Sequence, residues 1–338
     1  MGGPALSDEG ERAMGVGNGV GEARGVGDGS RASVDERVVL AGIPLRNAVL
    51  TASGTFGYGT EFAPFLDLTR LGGFVAKSLT LEARHGNPPP RIAEAPAGML
   101  NAISIENVGV KVFLEEKLPA LPEGVVVIAS AFGTEPGLYA ELVARVTAHP
   151  RVAGIEINAS CPHVKAGGIE FGQDPRLLAE LVAVVRKATT RPLLVKLSPN
   201  VTRIADMAKV CEAEGADGIT LINAIQAMEV DVERRRPVLS NILGGLSGPA
   251  IRPIALRMVW QAAQAVRIPI CGVGGITCAE DAVKFLLCGA TAIQVGTQNY
   301  LDPTAAIGIA RGIADYARRH GFERVADLTG ALLPPQGK

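Results

Sequence analysis

From residue 36 onward the chain alternates two patterns: short, continuous apolar runs rich in β-branched residues, and longer segments with helical spacing. The runs cover 48–52, 73–77, 125–131, 154–158, 193–197, 218–223, 269–272 and 292–296. Amphipathic stretches such as 177–189, 204–214 and 281–287 lie between them. Strands buried on both faces read as unbroken apolar runs, because helices cover a parallel sheet on each side. Eight such units in about 300 residues predict a single (β/α)₈ TIM barrel. An open, doubly wound sheet is the alternative. A hairpin over 37–40 and 43–45, turning at Ala41-Gly42, is expected to cap the bottom of the barrel.

Composition narrows the function classes. The 338 residues are 47% hydrophobic and 20% charged with a net charge of −1, as in an ordinary soluble globular protein. Scattered Lys and Arg argue against nucleic-acid binding, which needs clustered positive charge. The run Arg234-Arg235-Arg236 is short and precedes Pro237, as in a solvated loop. No stretch of eighteen apolar residues suggests a membrane span, and the N-terminus lacks the pattern of a signal peptide. A cytoplasmic protein is expected. Residues 1–34 carry Gly15, Gly17, Gly19, Gly21, Gly25, Gly27 and Gly29 and no aromatic residue, so they read as a disordered tail before a domain spanning 35–332.

In a TIM barrel the chemistry sits at the C-terminal ends of the strands, often with a phosphate at the loops after the seventh and eighth. Those two runs lead into Gly272-Val273-Gly274-Gly275 and Gly296-Thr297. One such glycine turn is explained by a tight connection; two at this pair of strands favour a phosphate grip. Lys77 and Lys196 fall inside apolar runs. Either alone fits a side chain snorkelling at the rim, but two suggest a bound anion or an electron-rich cofactor. Asn158 and Asn223 close the fourth and sixth runs, and Asn101 lies in the long connection after the second. Their amides suit a ring bearing imide and carboxylate groups, although each alone also fits a turn.

Five cysteines, without disulfide or zinc spacing, point to reduced thiols and no metal site. Cys211, Cys271, Cys278 and Cys288 read as small core residues. Cys161 differs: it opens the loop Ser160-Cys161-Pro162-His163-Val164-Lys165-Ala166-Gly167-Gly168 on the active face. There it fits a base or nucleophile on a movable lid, with His163 the neighbour that would lower its pKa.

Several ordered motifs extend this pattern: Ala52-Ser53-Gly54-Thr55-Phe56-Gly57, Gly86-Asn87-Pro88-Pro89-Pro90-Arg91, Gly98-Met99-Leu100-Asn101, Lys196-Leu197-Ser198-Pro199-Asn200 and Gly244-Gly245-Leu246-Ser247-Gly248-Pro249. From about residue 36 to 330 the chain resembles the dihydroorotate dehydrogenase family, in particular the catalytic subunit of its NAD-linked class 1 B type. The resemblance implies FMN at the top of the barrel, held by Ala52, Ser53, Lys77, Ser78, Ser130, Asn158, Lys196, Gly248, Gly274, Gly275, Gly296 and Thr297. It implies substrate contacts from Lys77, Asn101, Asn158 and Asn223. Cys161 is then the base that takes the C5 proton of dihydroorotate while the C6 hydride passes to flavin N5. It further implies a homodimer, or a heterotetramer with a partner subunit that carries FAD and a [2Fe–2S] cluster and reduces NAD⁺. Four positions depart from the family's usual pattern: Ser104 for glycine, Ser130 for asparagine, His163 for asparagine and Ala224 for a hydroxyl residue. His163 also resembles the dihydropyrimidine dehydrogenases, which makes a reductase of free pyrimidine bases the alternative enzyme. The other departures motivate a third reading, a catalytically impaired flavin-binding assembly subunit.

Overall fold

All eight apolar runs become parallel strands that close on themselves in the computed structural model, which describes residue 2 and residues 33–160 and 170–335. They are β1 (Val49–Thr51), β2 (Gly73–Val75), β3 (Val127–Ala131), β4 (Val152–Asn158), β5 (Leu193–Lys196), β6 (Gly218–Leu221), β7 (Ile270–Val273) and β8 (Ala292–Val295). Each pairs with the next, and β8 returns to β1 with Ile293 opposite Val49 and Val295 opposite Thr51. Closure excludes the open-sheet alternative. In every strand but β4 all residues are buried, so both faces are covered, as the unbroken runs require.

The outer helices follow from capping and spacing. Helix Pro175–Ala188 starts where the Asp174 carboxylate accepts from the amides of Arg176 (2.8 Å) and Leu177 (3.2 Å), with proline in the first turn. It turns Leu178, Leu181, Val182 and Val185 inward, a single stripe against the barrel. Each fully buried side chain of this size contributes roughly 1.5–3 kcal/mol.

The hairpin forms over Val38–Leu40 and Ile43–Leu45, with Ala41 (φ 52°) and Gly42 (φ 82°) both left-handed, as a two-residue turn between twisted strands demands. It seals the bottom of the barrel. A Cβ on Gly154 would lie 2.7 Å from Ile43 Cδ1, and one on Gly218 3.2 Å from the Ala41 Cβ. The glycine-rich tail expected over 1–34 falls almost wholly outside the described residues.

The long connections after β2 and β6 hold a second sheet that the sequence pattern did not signal. Its antiparallel order is Ile225–Met228, Leu243–Ser247, Gly98–Asn101, Ile92–Ala95. These strands are short, only partly buried and interrupted by glycine, and the central pair joins residues 144 positions apart. Asn101 therefore stands at a strand end rather than in an open loop. Cysteine placement needs a correction as well. Cys211 and Cys271 are buried, but Cys278 is exposed and Cys288 only partly covered. Cys278 occupies the cap position before helix Ala279–Leu287, where the chain turns outward before the apolar stripe begins.

Candidate functional site

Thirteen of the predicted residues line one cleft at the C-terminal mouth of the barrel: Ala52, Ser53, Lys77, Ser78, Asn101, Asn158, Lys196, Asn223, Gly248, Gly274, Gly275, Gly296 and Thr297. Ser130 does not. It is fully buried on β3, and its hydroxyl sits 2.8 Å from that of Ser78, so it reaches the cleft through a neighbour. Cys161 and His163 lie outside the described residues. Immediately before them, the Asn158 side-chain oxygen accepts from the Ser160 amide and from Asn223 Nδ2, each at 3.1 Å. Immediately after, Glu170 accepts from the Ser198 hydroxyl at 2.8 Å.

The inserted sheet brings its residues in by close backbone approach. A Cβ on Gly98 would sit 2.4 Å from the Ser247 carbonyl oxygen, and one on Gly248 2.9 Å from Gly98 Cα. Such contact explains the glycines on both strands and delivers Asn101 and Gly248 to the same rim. The Asn87 side chain donates to the Ala102 carbonyl (2.8 Å), and Arg91 pairs with Glu106 at 2.8 Å, clamping the segment after Asn101. Within that segment Ser104 has φ 68°, the left-handed conformation that makes glycine the usual residue. A serine there costs roughly 1 kcal/mol.

The glycine turns have the features of an anion cradle. Among the described residues, none of the amides of Gly274, Gly275, Gly296 and Thr297 donates to another backbone group. Gly274 (φ 131°) and Gly275 (φ 74°) have positive φ, which disfavours side chains at two residues that line the cleft. Asp281, 3% exposed, holds this loop from behind, accepting from the Thr277 amide (3.2 Å), the Thr277 hydroxyl (2.8 Å) and Arg252 (2.8 Å). Burial pushes its carboxyl pKa up, but the Thr277 bonds and the Arg252 charge outweigh that and hold it below the usual value. A lowered folded-state pKa means stability present above the unfolded value near 4 and lost as pH falls through the folded one. Asp281→Asn is therefore expected to cost about 1–3 kcal/mol at pH 7. In urea unfolding the gap to the parent should close as pH drops below about 4.

Neither ammonium makes a hydrogen bond or ion pair with another described residue. Lys196 is 5% exposed. Burial pushes the Lys77 ammonium below the usual lysine range, with Glu106 opposing and Arg91 adding to the shift. Cations held this way are poised for an anionic or electron-rich ligand. Sequence reasoning missed the isoleucines 103, 105, 222, 251 and 276 in the lining, since nothing distinguishes them from core residues. It also missed Glu156 beneath the cleft.

The closed barrel and this mouth define a class: a (β/α)₈ protein with paired glycine turns, one buried lysine and one partly buried lysine at the C-terminal mouth. The profile of the dihydroorotate dehydrogenase family matches residues 37–316. The chain is 54% identical over 299 residues to the dihydroorotate dehydrogenase B (NAD(+)) catalytic subunit of Pelobacter propionicus, covering 88% of this chain and 98% of that one. Subunits of the same name from Geotalea uraniireducens and Geotalea daltonii are each 53% identical, over 88% and 89% of this chain and 98% and 99% of theirs. The chain belongs to the dihydroorotate dehydrogenase family. No helix among its described residues is long and apolar enough to cross a membrane.

Proposed function

We propose that this chain binds FMN at the barrel mouth and oxidises dihydroorotate to orotate in pyrimidine biosynthesis. One observation carries the reading: a single cleft is lined by two lysines with no ion pair among the described residues, by three asparagines, and by Gly274, Gly275, Gly296 and Thr297, whose amides donate to no described backbone group. The amides of Gly274, Gly275, Gly296 and Thr297 would hold the phosphate. Lys196, with Ser53 and Ser78, would face the ring system, while Ala52 and Gly248 leave room for it. When bound, FMN supplies the two-electron acceptor. Asn101, Asn158 and Asn223 offer donors and acceptors to the imide of the substrate, and Lys77 offers its charge to the carboxylate. Cys161 removes the C5 proton. A separate partner subunit carrying FAD and a [2Fe–2S] cluster would supply the route to NAD⁺, in keeping with relatives named as catalytic subunits.

The direct test is anaerobic. Protein reconstituted with FMN should be yellow and should bleach on adding dihydroorotate, whereas uracil-type bases should neither reduce nor reoxidise it. A flavin that stays oxidised with dihydroorotate overturns the substrate assignment.

A further inference from the structure

Among the described residues, the barrel strands carry two charged side chains that are almost wholly buried, Glu156 on β4 and Lys196 on β5. Glu156 is 0% exposed. Its Oε2 accepts from Thr220 Oγ1 on β6 and Gln294 Nε2 on β8, each at 2.8 Å. Its Oε1 lies 3.5 Å from the hydroxyl of Ser53, which follows β1 and lines the cleft. These donors are all neutral, so they orient the carboxylate without cancelling its charge. Lys196 is the direct strand partner of Thr220 and so leaves the sheet on the same side as the hydroxyl that Glu156 accepts from. Lys196 lines the cleft and Glu156 does not. The buried Cys271 thiol registers both charges: burial and then Glu156 push its pKa up, and Lys196 pulls it back.

An unpaired charge in a low-dielectric interior is costly, and opposite charges there interact over longer distances than in water. A carboxylate held beneath an ammonium subtracts from the positive potential that the ammonium presents to the cleft. Resting on the flavin reading above, we propose that Glu156 is a positioning residue of the cofactor site. It anchors Ser53 at the mouth and limits, by its charge below Lys196, how strongly the cleft favours reduced over oxidised FMN.

Glu156→Gln keeps the shape and an acceptor for Thr220 and Gln294 while removing the charge. FMN affinity of the apoprotein and the midpoint potential of the reconstituted protein are measured for parent, Glu156→Gln and Glu156→Asp. The Gln variant is expected to bind reduced FMN at least tenfold more tightly relative to oxidised FMN. That raises the midpoint by about 30 mV for a two-electron couple. The Asp variant keeps the charge but withdraws it from Ser53, so its potential should stay near the parent while FMN affinity falls several-fold. A Gln variant with parental potential and affinity but a lower melting temperature overturns the inference and leaves the flavin reading intact. Parent protein that takes up no FMN overturns both. If the Gln variant does not fold, the Asp variant decides, and parental FMN affinity in it counts against the proposal.

Discussion

Cys161→Ala is expected to slow dihydroorotate-driven flavin bleaching by about 10²–10⁴-fold, the usual contribution of a positioned base. That corresponds to roughly 3–5 kcal/mol of barrel-mouth chemistry lost with one sulfur atom. FMN content should be unchanged, because most of the residues that would hold it come from other loops: Ser53 after β1, Lys196 at the end of β5, Gly274 and Gly275 after β7, Gly296 and Thr297 after β8. The described flanks of the Cys161 loop begin and end at the same strand end. Asn158, two residues before Ser160, lines the cleft and accepts from Ser160 and Asn223 together. On the other side the Gly172 amide donates to the Ala159 carbonyl at 2.8 Å, drawing the chain back to the same strand end. Stopped-flow absorbance under argon separates the two effects. A variant that bleaches at the parental rate would remove Cys161 from the mechanism and revive the assembly-subunit reading.

The barrel was legible because its signal is local and repeated. Each strand is a short run whose burial on both faces leaves no polar alternation to misread, and each helix shows its own stripe, as Leu178, Leu181, Val182 and Val185 do. The inserted sheet was not legible, because Gly98–Asn101 finds its partner in Leu243–Ser247 and neither run carries enough apolar residues to announce itself. Much the same divide applies at the site. Lys77, Lys196 and the glycine turns stood out as polar or flexible residues within or just after predicted strands. Glu156 sits in the run Gly154-Ile155-Glu156-Ile157-Asn158, where the rule that singled out the lysines applies equally. Its partners, Thr220 and Gln294, lie on distant strands and leave no local signal in the sequence. Ser130 shows the converse: a position expected among the cofactor contacts is fully buried here, with its hydroxyl 2.8 Å from that of Ser78.

Two glycines of the proposed phosphate grip should respond differently to substitution, and the contrast separates folding from binding. At Gly275 the backbone is left-handed, and an added Cβ would lie 2.7 Å from the Arg252 Cβ and 2.8 Å from the Gly248 carbonyl oxygen. Arg252 cannot simply yield, since it is held by Asp281, which also holds Thr277 in the same loop. Gly275→Val is therefore expected to lose roughly 1–3 kcal/mol of stability from backbone strain alone. FMN affinity should fall at least 100-fold as the amides of Gly274 and Gly275 lose their aim, about 2.8 kcal/mol. Gly296 is different. Its φ is not left-handed, and a Cβ there would meet nothing closer than the Ala52 Cβ at 3.8 Å, because it would project into the cleft. Gly296→Ala should leave the apoprotein within about 0.5 kcal/mol of the parent. FMN binding should nevertheless weaken about tenfold, since the methyl would stand where the ligand must approach the backbone. Fluorescence titration of FMN and thermal unfolding of the apoproteins check both. If Gly296→Ala binds FMN as the parent does, the grip is not where these two turns meet, and the glycines serve only the tight connections after β7 and β8.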